Sequence, residues 1–209
     1  DSSRRRKCLY KKLSATRHMI LSDKTIREKL KTGKITIEPF DEKYLQPASY
    51  DLYLDNHFLI FNKEKDRVID VKQPIDDLMQ NIEVDDTEGY ILNPGEFVLA
   101  NVKEITGVDG KHIARLEGKS SLGRLGLAIH VTAGFLDPGN SLRLTLHMIN
   151  LSPLPIKIYP GMKIAQIIFE LLDQECERKY GADGLGNKYV GTMTVKGSEY
   201  WKNFKNGLM

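Results

Sequence analysis

Two periodicities organise the chain. Between Ser22 and Gly33, in SDKTIREKLKTG, the apolar positions Ile26 and Leu30 stand four apart among polar residues. Ser22 is placed to cap the first turn, Asp23 lies inside it, and Gly33 ends it, so the spacing predicts a short helix. Beyond Ile35 the apolar residues follow a period of two in short β-branched and aromatic runs. These are ITIEPF (35–40), ASYDLYL (48–54), HFLIF (57–61), RVIDV (67–71), YIL (90–92), FVLANV (97–102), LAIHV (127–131), SLRLTLHMI (141–149), LPIKIY (154–159) and KIAQIIFELL (163–172). Each is read as a strand. Turn signals fall between them at Asn93-Pro94-Gly95, Asp137-Pro138-Gly139 and Pro160-Gly161. Only the acidic stretch from Lys72 to Thr87 lacks clear alternation, and a short helix is expected there around Pro74 to Asn81. Many short strands with few short helices predict a mainly β fold, a distorted β-barrel or jelly-roll-like architecture.

Length and composition narrow this further. The 209 residues suffice for one all-β domain, expected over 19–209. No apolar run reaches the roughly eighteen residues of a membrane span. The net charge of +3 is local: residues 1–18 hold seven basic residues and one acid, leaving about −3 for the rest. A slightly acidic body is a poor nucleic-acid surface. Residues 1–18 are read as a basic N-terminal extension, disordered or artefactual, preceding a start at Met19; an Arg-rich targeting arm is the alternative. Cys8 and Cys176 are too few for a disulfide framework, which suits a reducing, cytoplasmic setting.

The chemistry-bearing residues gather in three places. Gly118-Lys119-Ser120-Ser121-Leu122-Gly123-Arg124-Leu125-Gly126 sets two cations and two hydroxyls between strands. Phosphate oxygens favour such charge-assisted donors, although a polar Gly-rich turn has the same composition. Neither a P-loop nor a G-x-G-x-x-G opening a helix is present, and no His stands in the H-x-E…P-C-x-x-C context of a zinc deaminase. Deamination here would therefore proceed without zinc at the base. Asp137 follows an apolar strand and opens a turn, as a turn-former or as an acceptor for a sugar hydroxyl or a water. In the next strand Leu142, Leu144, Leu146 and Met148 alternate with Arg143, Thr145 and His147, so His147 points away from the leucine face.

Several of these motifs, in order, resemble the dCTP deaminases and their dUTPase relatives from Met19 to Phe204. The match runs through Met19-Ile-Leu-Ser-Asp-Lys24, Gln46-Pro-Ala-Ser-Tyr-Asp-Leu52 and Leu92-Asn-Pro-Gly-Glu-Phe97. It continues through GKSSLGRLGL, His130-Val-Thr-Ala-Gly-Phe-Leu-Asp-Pro-Gly139, Pro160-Gly-Met-Lys-Ile-Ala-Gln166 and Gly186-Asn-Lys-Tyr189. The resemblance implies a dUTPase-type fold and a homotrimer with active sites at subunit interfaces. It also implies a nucleotide partner among dCTP, dUTP and dTTP, with Mg2+ carried on the triphosphate. Carried onto this chain, it makes Ser120, Arg124, His147 and Asp137 the catalytic candidates. Lys119 (where Arg is usual), Ser121, Val131, Ala133, Gln166, Tyr180, Lys188 and Thr192 become the substrate-binding candidates.

Besides Lys119, the chain departs from the family at four positions. The deaminases place a catalytic Glu, which activates the water attacking C4, where this chain has His147. Asn140 replaces a bulky residue, Leu142 a glycine and Thr192 a glutamine. A neutral imidazole can take a proton at physiological pH, without the two equivalent oxygens of a carboxylate. The expected activity is dCTP deamination to dUTP and ammonia, extending to dUMP and diphosphate in a bifunctional enzyme. The alternatives are a dUTP diphosphatase without deamination and a non-catalytic deoxynucleotide-binding regulator.

Overall fold

The computed structural model describes residues 19–62 and 67–205, so the basic extension 1–18 and Cys8 lie outside the described residues. Strand β1 (Met19–Ile20) precedes helix α1 (Asp23–Lys31). The strands β2 (Ile35–Glu38), β3 (Leu45–Gln46), β4 (Ser49–Phe61), β5 (Met79–Glu83), β6 (Tyr90–Leu92), β7 (Phe97–Val108) and β8 (His112–Gly118) follow. A single turn of helix, α2 (Ser120–Gly123), separates these from β9 (Leu127–Ala128), β10 (Phe135–Leu136), β11 (Ser141–Asn150), β12 (Ile156–Ile158) and β13 (Lys163–Leu171). Helix α3 (Lys202–Lys205) comes last.

Helix α1 forms as its sequence dictates. The Ser22 hydroxyl accepts the Thr25 amide, Ile26 is fully buried, and Gly33 takes a positive φ of 66° after the last turn. The strands build one curled, partly open half-barrel in the order β10-β8-β13-β4-β7-β11-β9, with a separate β6–β12 pair. Strand β4 makes the corner. Tyr50 to Tyr53 pair with β13, whereas Leu54 to Ile60 pair with β7 after a register shift. A strand shared by two differently directed surfaces bends the sheet round a common core. That core holds Tyr50, Leu52, Leu54, Phe58, Leu146, Met148, Ile164, Ile167 and Phe169, all inaccessible to solvent. Burying side chains of this size contributes about 1.5–3 kcal/mol each.

The alternation read along β11 holds: Leu142, Leu144, Leu146 and Met148 face the core while Arg143, Thr145 and His147 are half-buried on the other face. Three other expectations are corrected. RVIDV forms no strand; Val68 is 84% exposed because the neighbouring edge of β4 is taken by β5 instead. The helix expected over 74–81 shrinks to a 3-10 turn at Asp76–Leu78, after which Met79 starts β5. LAIHV is a strand only at Leu127–Ala128. Strand β8 has no counterpart in the reading, because HIARLEG opens on a polar, though buried, His112 and carries Arg115 and Glu117 within a short apolar run. No helix among the described residues is long and apolar enough to cross a membrane.

Candidate active site

Asp137 leaves β10 into the Asp137-Pro138-Gly139 turn. Gly139 has a φ of 83°, and its amide donates to the carbonyls of Val108 and Asp109, fixing the turn on the β7–β8 hairpin. A side chain at Gly139 would collide with Lys179, so the glycine also lets the C-terminal segment pass close by. Tyr180 arrives this way: its amide donates to the Pro138 carbonyl at 2.8 Å. Burial raises the Tyr180 hydroxyl above its ordinary value, and the Asp137 charge raises it further. The backbone of Tyr189 and Lys188 bonds the same hydroxyl. Asp137, Tyr180 and the Lys188 segment are thus brought together, although the Lys188 ammonium itself donates to the Gly186 carbonyl. Burial raises the Asp137 carboxyl above the ordinary carboxylate range.

The tail continues across β11. Asn140 is 5% exposed, and its side-chain oxygen accepts the amides of Ser141 and Gly191 at 3.0 and 3.2 Å. The Thr192 carbonyl accepts the Arg143 amide at 3.0 Å, and Thr192 is itself buried. Asn140 and Thr192, two of the residues that depart from the family pattern, therefore belong to one contact. On the same face of β11, Arg143 pairs with Asp55 at 3.0 Å and Thr145 donates to Asn101 at 3.1 Å.

His147 follows on that face. Its amide donates to the Ile129 carbonyl at 2.9 Å, and its ring lies 6.3 Å from that of Phe97. Burial holds the imidazole below the ordinary histidine value, and the nearby His130 lowers it further. At neutral pH the ring is uncharged and can accept a proton. The 127–133 segment carries Val131 and Ala133 past this point, both exposed. His130 buries its Nδ1 without a hydrogen-bond partner.

The third group sits at the end of β8. Ser120, Ser121 and Arg124 are exposed on and beside the α2 turn, which is closed by amides of Leu122 and Gly123 donating to the Lys119 carbonyl. Lys119 is turned back: its ammonium lies 2.5 Å from the Asp51 carboxylate, which is 2% exposed. Gln166 donates to the Gly118 carbonyl and accepts from Ser49, bracing the start of the same segment. Among the described residues no hydrogen bond or ion pair joins Ser120, Ser121 or Arg124 to Asp137, His147, Tyr180 or Lys188.

Asp51, Lys163 and His130 were not singled out from the sequence. An acid inside the strand ASYDLYL was the available signal for Asp51, since a buried carboxylate demands a cation. Among the described residues no group of three or more His, Cys, Asp or Glu gathers to hold a metal. Both Asp51 oxygens are already taken by cations. The donor set therefore fits a magnesium ion already coordinated by phosphate oxygens better than one caged by the protein.

Known proteins share this framework. A protein 46% identical over 188 residues, covering 90% of this chain and all of its own length, is a dCTP deaminase, dUMP-forming, from Corynebacterium jeikeium. Its counterpart from Streptomyces avermitilis is 45% identical over 186 residues, 89% of this chain and 97% of that protein. Among solved structures, the 2'-deoxycytidine 5'-triphosphate deaminase of Agrobacterium tumefaciens superposes with a TM-score of 0.59 at 24% identity. That match covers 74% of this chain and 48% of the other, and it shows the shared fold. The family described as dCTP deaminase-like matches residues 20–172, and with that span and these relatives the chain belongs to the dCTP deaminase-like family.

Proposed function

We propose that the protein hydrolyses dCTP to dUMP, releasing ammonia and diphosphate. The observation that carries this reading is His147, a half-buried imidazole held neutral where the family places its catalytic Glu. The relatives matched over their full or nearly full length form dUMP. In the deamination step a water oxygen bonds to C4 of cytosine as the C4–N3 π pair moves to N3, which takes one water proton; the other passes to His147 and on to the amino group, the C4–N bond breaks, and ammonia leaves with C4 as the uracil carbonyl. In the second step water attacks the α-phosphorus and diphosphate departs. Asp137, its carboxyl raised by burial, holds the deoxyribose or orients that water beside Tyr180. Lys119, Ser120, Ser121 and Arg124 take the phosphates, Gln166 braces their segment, and Val131, Ala133, Lys188 and Thr192 border the nucleotide. Lys119, Ser120, Ser121 and Arg124 would face a triphosphate carrying Mg2+, which would supply charge neutralisation.

A homotrimer completes the site in this reading. The exposed Ser120–Arg124 turn and the Asp137–Tyr180 group are separate on one chain. Beside the turn Leu125, Leu151 and Leu154 are 57%, 69% and 70% exposed, apolar surface that suits a subunit contact. One observation favours a second reading, dUTP diphosphatase without deamination: His147 has lost the carboxylate while Asp137 remains.

Incubating the protein with magnesium and dCTP or dUTP, and following ammonia and diphosphate separately, tests both. Both products from dCTP support the proposal. Diphosphate from dUTP without ammonia from dCTP selects the second reading. Bound nucleotide with neither product points to a regulator.

A further inference from the structure

Lys163 has no assigned role, yet it shares a carboxylate with the phosphate-binding candidate Lys119. Asp51 stands in register with Gln166 across the β4–β13 pair, and Tyr53 with Lys163, which places these residues on one face. Lys119 lies 2.5 Å from one Asp51 oxygen and Lys163 3.1 Å from the other; Gln46 donates to the second at 3.3 Å. The carboxylate is 3% exposed at its side chain, the two lysines 24% and 47%. A buried carboxylate is satisfied while both ammonium groups stay in reach of solvent. The Lys163 stem runs beside Tyr44, its ammonium 5.6 Å from the ring centroid. Lys43, over the same ring, is committed to Asp41 at 2.7 Å.

Charge counting makes Lys163 decisive. Glu117, in register with Gln166, brings a second acid to this face. Lys119 and Lys163 balance Asp51 and Glu117 on this face; without Lys163 it is net negative and would repel an anion. A polyphosphate carries several charges and favours a pair of cations over one, and Asp51 holds that pair at a fixed separation.

We propose that Lys163 and Lys119, clamped by Asp51, form a dibasic polyphosphate subsite at the edge of β13, with Lys163 a binding residue for the terminal phosphates. This rests on reading residues 118–126 as the phosphate-binding half of the active site. Titration calorimetry with inorganic tripolyphosphate tests it without the base or sugar. Lys163→Gln is expected to weaken tripolyphosphate binding about ten- to a hundred-fold, the range for one lost charge-assisted bond. Lys163→Arg is expected to restore most of it, and affinity for the phosphate-free deoxynucleoside is expected to stay unchanged in both. Tripolyphosphate binding equal to wild type in Lys163→Gln, with circular dichroism unchanged, overturns the proposal. Absence of any turnover by the wild-type protein, with Lys163-dependent tripolyphosphate binding intact, would instead sink the catalytic reading and leave the subsite standing.

Discussion

The two halves of the site are built in opposite ways. Around Asp137 the chain closes over itself: the Gly139 turn is pinned to a hairpin, Tyr180 is delivered by the C-terminal segment, and Asn140 and Arg143 anchor that segment through Gly191 and Thr192. Burial there moves Asp137 and Tyr180 upward, and further along β11 it moves His147 downward. Around Ser120 the side chains are exposed, and Lys119 is held by ion pairing rather than by burial. The first half tunes proton affinity, which needs exclusion of water. The second presents charge, which needs access. Under the proposed function the buried half prepares the proton chemistry, and the exposed half awaits an incoming nucleotide and, in a homotrimer, a neighbouring subunit.

The largest expected effect comes from removing the carboxylate at the closed half. Asp137→Asn should lower diphosphate release by about 10²- to 10⁴-fold, the usual contribution of a general base or of water orientation. Its melting temperature should stay close to wild type, since the amide is nearly isosteric. Steady-state kinetics on dUTP check this, and a rate within a few-fold of wild type would place the attacking water elsewhere.

His147→Gln comes next. Ammonia release from dCTP should fall about 10²-fold while diphosphate release from dUTP changes little. In the wild type, ammonia release should rise with pH and level off below the ordinary histidine value of about 6.5, because the neutral imidazole is the active form. Stability carries the same sign. The folded-state value is depressed, so between it and the unfolded value the unfolded chain binds more protons. Stability is therefore lost as pH falls through that window. Asp137 acts in the reverse sense, its raised value adding stability that is lost as pH rises above the ordinary carboxylate range. Urea unfolding from pH 4 to 8 of wild type and His147→Gln separates the two slopes.

Much of the closed half was legible in the sequence. The alternation through SLRLTLHMI put His147 on the polar face, and the turn at Asp137-Pro138-Gly139 lies where its residues require. What alternation could not show was partnership over long separations. Asp51 meets Lys119 and Lys163 across 68 and 112 residues. Asn140 meets Gly191 across 51. Periodicity reports which face a residue takes, not what lies opposite it. RVIDV misled for a related reason: β propensity does not form a strand where the neighbouring edge is already paired. Strand β8 was missed for the opposite reason: it opens on a buried polar residue, His112, and carries Arg115 and Glu117, so it has too few apolar positions to read as a strand.

A mixing experiment sharpens the comparison between open and closed halves. Arg124→Ala and Asp137→Asn subunits, each nearly inactive alone, should recover activity when unfolded together and refolded as a mixture. With one half-site from each of two neighbouring subunits of a closed ring, about a quarter of the interfaces carry both native residues. Diphosphate release near that fraction of wild type supports a shared site. No recovery, with mixed oligomers confirmed by light scattering and mass spectrometry, would put both halves on one chain.

The smallest effect concerns the strap that closes the first half. Asn140→Ala removes an acceptor from the part-buried amide bonds of Ser141 and Gly191, and each lost bond of this kind costs about 0.5–1.5 kcal/mol. The Ser141 amide is next in sequence and finds another acceptor or water easily. The Gly191 amide is tied to the start of β11 through this contact and the neighbouring Thr192 carbonyl, so the loss should concentrate in the tail. Amide exchange at Gly191 is therefore expected to quicken about tenfold while exchange in the core of β11 stays near wild type. Uniform acceleration of both would mean that Asn140 supports the whole half-barrel, and the closed half would then owe its order to the sheet rather than to the segment that crosses it.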